Sequence, residues 1–271
     1  MKPHPPSKDA PLGTVPTGAI NGQIDILYTL IWGTRSALIF GLLVTLISAT
    51  TGVLIGALSG YLGTWVNNLV MRITDAMLAF PLIAAIVLFQ QLLLLSYKAS
   101  GALIFFGQIY TQGSPPTSLQ IFLTWIDPVM LAFILFSWMP YARVMNAVVL
   151  LNKDREFIQA AKALGAGHSR ILIHHLIPNS ISPSVVLAAK DVGGMVLLQA
   201  TFTFIGMGGK SDWGNLLVIG RRWIIGPGGN PLTYWWVFIP ATLALVLFGI
   251  GWNLLGDGFN DWLNPRTSQS G

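Results

Sequence analysis

Lys190 and Asp191 sit side by side within an otherwise apolar run, Ser182 to Gly206. A charged pair in such a setting is the first candidate for chemistry. Counted from Asn179 at about 1.5 Å per residue, the pair lies roughly 17 Å along a helix, near the centre of a bilayer. Ionisable groups at that depth face a bundle interior or a water-filled cavity, and they mark solute pathways. Successive helical residues project about 100° apart, so each of the two needs its own partner. The pair either lines a pathway or its gate, or it fixes helix register; the residues alone leave both readings open.

Other reactive combinations fail on spacing. Gly209-Lys210-Ser211 ends like a phosphate-binding loop, but GxxxxGK[ST] requires glycine at position 204, where Phe204 stands. ATP hydrolysis by this chain is therefore not expected. His174 and His175 are adjacent rather than spaced like metal ligands. No serine, histidine and carboxylate cluster points to a nucleophile. The absence of cysteine removes disulfides, thiolate metal sites and thiol nucleophiles. No catalytic residue, cofactor or metal is assigned, and an intramembrane enzyme is the least supported class.

The elements that must position Lys190 and Asp191 follow from composition. The chain has 271 residues, 53% hydrophobic and only 9% charged, with a mean hydropathy of +0.65. Soluble domains carry about 25% charged residues, so this chain cannot cover a water-facing globule. It reads as an all-α integral membrane protein in contact with lipid. The net charge of +5 comes from 15 basic residues scattered among apolar runs. They form no basic stripe, so nucleic acid is not a partner.

Five segments are long enough to cross a bilayer: about Ser36–Leu62, Ala76–Tyr97, Asp127–Leu151, Ser182–Gly206 and Tyr234–Leu255. Gly101–Tyr110 is apolar but too short, and is expected as a re-entrant or surface helix. Residues 1–34, rich in Pro and Gly, have no signal-peptide pattern. In the first span, Gly52, Gly56 and Gly60 form GxxxGxxxG, which lets two helices approach closely, either within the bundle or between subunits. The most polar connection is 152–181. Within it Phe157, Ile158, Ala161 and Leu164 recur at helical spacing, and Gly165 and Gly167 suit a helix end. Such a short amphipathic helix either docks a partner or lies flat on lipid. With that loop inside, Lys and Arg divide seven to seven between the two sides, so the charge rule does not set orientation.

The polar loop reads Glu156-Phe-Ile-Gln-Ala-Ala-Lys-Ala-Leu-Gly165, then His175-Leu-Ile-Pro178-Asn179. It resembles the EAA loop of ABC-importer permeases. Trp138-Met-Pro-Tyr-Ala-Arg143, Thr203-Phe-Ile-Gly-Met-Gly208, Trp213-Gly-Asn-Leu216 and Asn253-Leu-Leu-Gly-Asp-Gly258, with Asp261 and Asn264-Pro-Arg266, resemble the C-type subunit of the dipeptide/oligopeptide/nickel branch. Pro11-Leu-Gly-Thr14 and Gly60-Tyr-Leu-Gly63 extend the likeness forward. Gln159 departs from the loop's usual glutamate, and Gly22-Gln-Ile-Asp25 from the usual G-R-D. The family also has a helix before the Pro-Leu-Gly-Thr segment; either that helix is dispensable here or the true start lies upstream of this sequence.

The resemblance implies a type I ABC importer permease fold with about five transmembrane helices and a cytoplasmic coupling helix. Residues 1–34 would be extracytoplasmic, 35–265 the permease domain and 266–271 a cytoplasmic tail, in a multi-pass protein of a prokaryotic cell membrane. Glu156, Phe157, Ile158, Gln159, Ala160, Ala161, Leu164 and Gly165 would contact an ATPase. Partners would be a second, B-type permease, two ATP-binding subunits and an extracytoplasmic solute-binding protein. The cargo would be a di- or oligopeptide, nickel, glutathione or a similar solute. The competing class, a secondary transporter or channel without ATPases, predicts internal repeats; none is visible.

Overall fold

Asp25 starts the first long helix: its carboxylate accepts the N–H of Tyr28 at 3.0 Å, satisfying one of the amides a helix start leaves open. That residue ends a small antiparallel hairpin in which Thr14–Pro16 (β1) pairs with Gln23–Asp25 (β2). The computed structural model describes residues 2–16, 22–99, 102–105, 108–111, 128–226 and 229–263. The tail at 266–271 and the motif Asn264-Pro-Arg266 lie outside them.

Helix α1 runs Ile26–Tyr61, beginning ten residues before the span expected from Ser36. Arg35 was read as a boundary, but its long stem can carry the charge toward an interface while the backbone stays helical. Helix α2, Thr64–Leu78, and helix α3, Leu82–Ala99, follow. They meet at an 87° bend where a single span from Ala76 was expected. Pro81 accounts for the break. It has no N–H to donate, and it pushes Phe80 out of helical geometry.

Gly101–Tyr110 is not a helix in its described part: Ala102–Phe105 (β3) pairs antiparallel with Gln108–Thr111 (β4). Cross-strand bonding satisfies a stretch too short for a stable helix and rich in residues that favour strands.

Helix α4, Pro128–Ser137, and helix α5, Met139–Asn152, form the next span. Pro128 starts it as expected, and Pro140 interrupts it. Helix α6, Glu156–Ala163, lies in the polar connection. Helix α7, Ser182–Ile205, is the fourth span. Helix α8, Asp212–Ile224, was not anticipated, and helix α9, Trp235–Leu263, is the last span. Four helices, or five with the bent pair as one, are long and apolar enough to cross a membrane among the described residues.

The chain divides into two compact units. The first comprises residues 1–42, 93–130 and 192–251. Its core gathers Val15, Ile26, Leu216, Val237 and Ala241, with a neighbouring cluster of Ala37, Val196, Ala200, Trp213 and Leu245. Helix α8 is fastened there. Ser211 caps it by accepting the Gly214 N–H at 3.1 Å. The Trp213 indole donates to the Leu30 carbonyl at 3.0 Å, and Ser36 donates to Asp212 at 2.8 Å.

The second unit comprises residues 43–92, 131–191 and 252–271. It is centred on Val53, Ala57, Met145, Val149 and Leu176. Here the glycine motif finds its partner within the chain. A Cβ on Gly52 would lie 2.3 Å from the Trp138 carbonyl oxygen, and one on Gly56 2.3 Å from that of Ala142. Only glycine permits α1 and α5 this approach, so the motif packs the bundle.

Candidate functional site

The polar connection folds as the stripe of Phe157, Ile158, Ala161 and Leu164 requires, but the stripe divides. Ile158 and Ala161 are buried in the second unit's core beside Ala57, Met145 and Val149. Phe157 and Leu164 are exposed, Leu164 at 89%. Glu156, Gln159 and Ala160 share the open side. Half of the apolar stripe thus seats the helix on its own bundle, and the other half is open. Periodicity identifies an apolar face but not what covers it.

The end of α6 is sharply defined. Gly165 takes φ +80°. Its N–H donates to the Lys162 carbonyl at 3.0 Å, and the Ala166 N–H to the Ala161 carbonyl at 3.0 Å. This pair of bonds closes a helix through a left-handed residue, a conformation that glycine adopts without strain. The chain then re-enters the core through a π-helical segment, Ile171–Leu176, which buries Ile171, Leu172 and Leu176. Pro178 beyond it has no N–H to continue an α-type ladder. Tyr61 Oη and His168 Nδ1, 2.8 Å apart, tie this turn to the end of α1. Helix α6 is thus seated on the core from behind and open in front.

Lys190 and Asp191 point to different helices. Asp191 accepts a hydrogen bond from the Tyr141 hydroxyl at 2.6 Å, joining α7 to α5. Lys190 pairs with Asp257 at 2.7 Å, joining α7 to α9. The lysine stem lies across Gly256, where a Cβ would meet its Cγ at 2.4 Å. The side chains of Lys190 and Asp257 are 39% and 61% exposed.

Three further polar contacts, made by Arg143 and Asn146, escaped the sequence reading. Arg143 pairs with Asp75 at 2.8 Å, linking α5 to α2. Asn146, buried one turn on, donates to Ser59 Oγ at 2.8 Å and Asn67 Oδ1 at 2.6 Å. Tyr141 and Arg143 belong to the Trp138–Arg143 motif and Asp257 to the Asn253–Gly258 motif, so a signal existed. Pairing across the bundle cannot be read from a single chain of letters, because nothing local specifies which helices are neighbours.

Residues 52–269 match the family described as binding-protein-dependent transport system inner membrane component. The dipeptide transport system permease protein DppC of Alkalihalophilus pseudofirmus is 29% identical over 245 residues, covering 89% of this chain and 69% of that one. The oligopeptide transport system permease protein OppC of Haemophilus influenzae is 30% identical over 246 residues, covering 89% and 67%. The inward-facing structure of the MetNI methionine ABC transporter shares the fold. Its TM-score is 0.56 at 19% identity, covering 87% of this chain and 96% of the matched one.

Proposed function

The chain belongs to the family of binding-protein-dependent transport system inner membrane components and is a permease subunit of an ABC importer, and from that premise we propose that it is the C-type subunit of a peptide importer in a prokaryotic inner membrane. The names of DppC and OppC support dipeptides or oligopeptides as cargo. An importer of this kind requires a second permease, ATP-binding subunits and a binding protein. In this reading they are one B-type permease, two ATPases that carry out the hydrolysis, and one extracytoplasmic solute-binding protein. Residues 1–34 face outward, and the loop at 152–181 faces the cytoplasm.

One observation carries the coupling role: α6 buries Ile158 and Ala161 in its own bundle while Leu164 stands 89% exposed. A rigid helix seated on one face and open on the other can pass an ATPase's closing motion into α1 and α5 as a rigid-body displacement. Glu156, Phe157, Gln159, Ala160 and Leu164 form the contact, while Ile158, Ala161 and Gly165 hold its shape.

Lys190 and Asp191 act at the pathway or its gate. Their two bonds brace α7 against α5 and α9. The exposure of Lys190 and Asp257 suits water and not hydrocarbon.

The test is Leu164→Glu in the full transporter, normalised to membrane expression. Loss of ATPase copurification or of dipeptide uptake supports the coupling role; normal assembly with normal uptake overturns it.

A further inference from the structure

We propose that the cavity in the elbow between α2 and α3 is part of the translocation pathway and receives apolar side chains of the cargo, a proposal that rests on the peptide-importer reading above. The cavity has a volume of about 480 Å³, and its lining is apolar throughout, including Met77, Phe80, Ala85, Leu88, Phe89 and Phe136.

Its depth follows from the contacts around it. Asp75, just before the bend, is paired with Arg143, which precedes the end of α5 at Asn152 by about 14 Å of helix. Phe136, on the cavity wall, lies further still from that end. With the start of the 152–181 loop at the cytoplasmic surface, as in the reading above, the elbow lies inside a hydrocarbon core about 30 Å thick.

At that depth an interrupted helix is tolerated only where the break is buried in protein or lines a water-filled cavity. Pro81 supplies no N–H, and the first amides of α3, at Leu82, Ile83 and Ala84, have no intrahelical acceptor. An acyl chain cannot satisfy those amides, whereas a covering protein surface or water entering with a hydrated cargo can, and the labelling below separates the two. In this proposal the cavity combines an aqueous rim at the break with an apolar wall.

The wall suits side chains of varied shape. Phe89 and Phe136 meet edge to face with centroids 6.0 Å apart. Met77 adds a flexible, polarizable thioether of the kind found at promiscuous binding surfaces. The volume falls in the range of small-ligand sites, roughly 300–1,000 Å³. A glycine or alanine side chain gains little from such a wall; a leucine or phenylalanine gains burial during passage. The permease would then add a preference for bulky apolar residues to whatever the binding protein selects.

Two measurements on the assembled transporter test this. Because the native chain has no cysteine, Leu88→Cys gives this chain one thiol, on the cavity wall, and the unsubstituted transporter serves as the labelling blank. A charged, water-soluble methanethiosulfonate should modify it at rest or during ATP turnover. Failure to react in both states means a lipid-filled or sealed cavity and overturns the proposal, whatever the cargo is. The second measurement compares uptake of dialanine and dileucine. Leu88→Trp, at a position 55% exposed, should lower the dileucine-to-dialanine ratio about tenfold, and Phe136→Ala should move the ratio in either direction by at least threefold. Ratios unchanged in both variants, at matched membrane levels, overturn it. If the wild type imports neither peptide, the peptide reading fails, and the labelling result still decides whether the cavity is on an aqueous route.

Discussion

The Tyr141 hydroxyl stands 2.6 Å from the Asp191 carboxylate and donates to it, joining the fully buried side of α5 to a half-buried position on α7. Such a bond matters most for what its loss leaves behind. Tyr141→Phe strips the half-buried carboxylate of this donor, and the loss of a hydrogen bond to a charged group costs about 1 kcal/mol or more. The expected result is a lower melting temperature for Tyr141→Phe and a smaller drop for Tyr141→Phe added to Asp191→Asn. A double-mutant cycle on the purified transporter checks this, and additive effects would remove the coupling.

Lys190 and Asp257 offer a test by exchange. Lys190→Asp alone places two carboxylates side by side across α7 and α9, and Asp257→Lys alone places two ammonium groups there. Each should lower peptide uptake several-fold. The double variant, Lys190→Asp with Asp257→Lys, restores opposite charges and should recover at least half of the lost uptake. A double variant no better than the worse single one would show that charge pairing is not the property that matters.

The contrast between Ala160 and Ala161 separates docking from folding. Ala161 is buried within the chain's own core while Ala160 is exposed. Arginine at 161 forces an unpaired charge into that core, so Ala161→Arg should reduce the amount of folded chain even without ATPase partners. Ala160→Arg should leave the isolated chain folded and weaken ATPase copurification. Detergent-solubilised yield of the chain expressed alone reads the first effect, and pull-down of the complex reads the second.

Gly56 and Gly258 make a matched pair of glycines. A Cβ at Gly56 would stand 2.3 Å from the Ala142 carbonyl, whereas at Gly258 nothing lies within 4 Å. Gly56→Ala should destabilise by about 1–3 kcal/mol through overpacking, and Gly258→Ala should be near neutral. Thermal stability of the two purified variants tests the prediction; equal values would mean that α1 and α5 are not so tightly opposed.

Membrane character, most of the spans, the short helix at 156–163 and its glycine stop were legible in the letters. Each depends on local quantities: hydropathy summed over about 20 residues, a 3.6-residue period, and a residue that tolerates positive φ. The motif order was legible as well, and with it the permease family. What lay beyond reach was every choice between surfaces. GxxxGxxxG announced a close approach without naming its partner, which proved to be Trp138 at the start of α5 and Ala142 within it. The stripe on α6 was visible as apolar, yet only packing assigned Ile158 and Ala161 inward and left Leu164 outside. Pro81 could have kinked a span mildly or broken it, and only the tertiary structure shows the bend to be 87°. Lys190 and Asp191 each needed a partner by the geometry of a helix, but Asp257 and Tyr141 lie 67 and 50 positions away. Side-chain pairing across such distances depends on which helices become neighbours, and that is decided by the whole bundle's packing rather than by any local pattern.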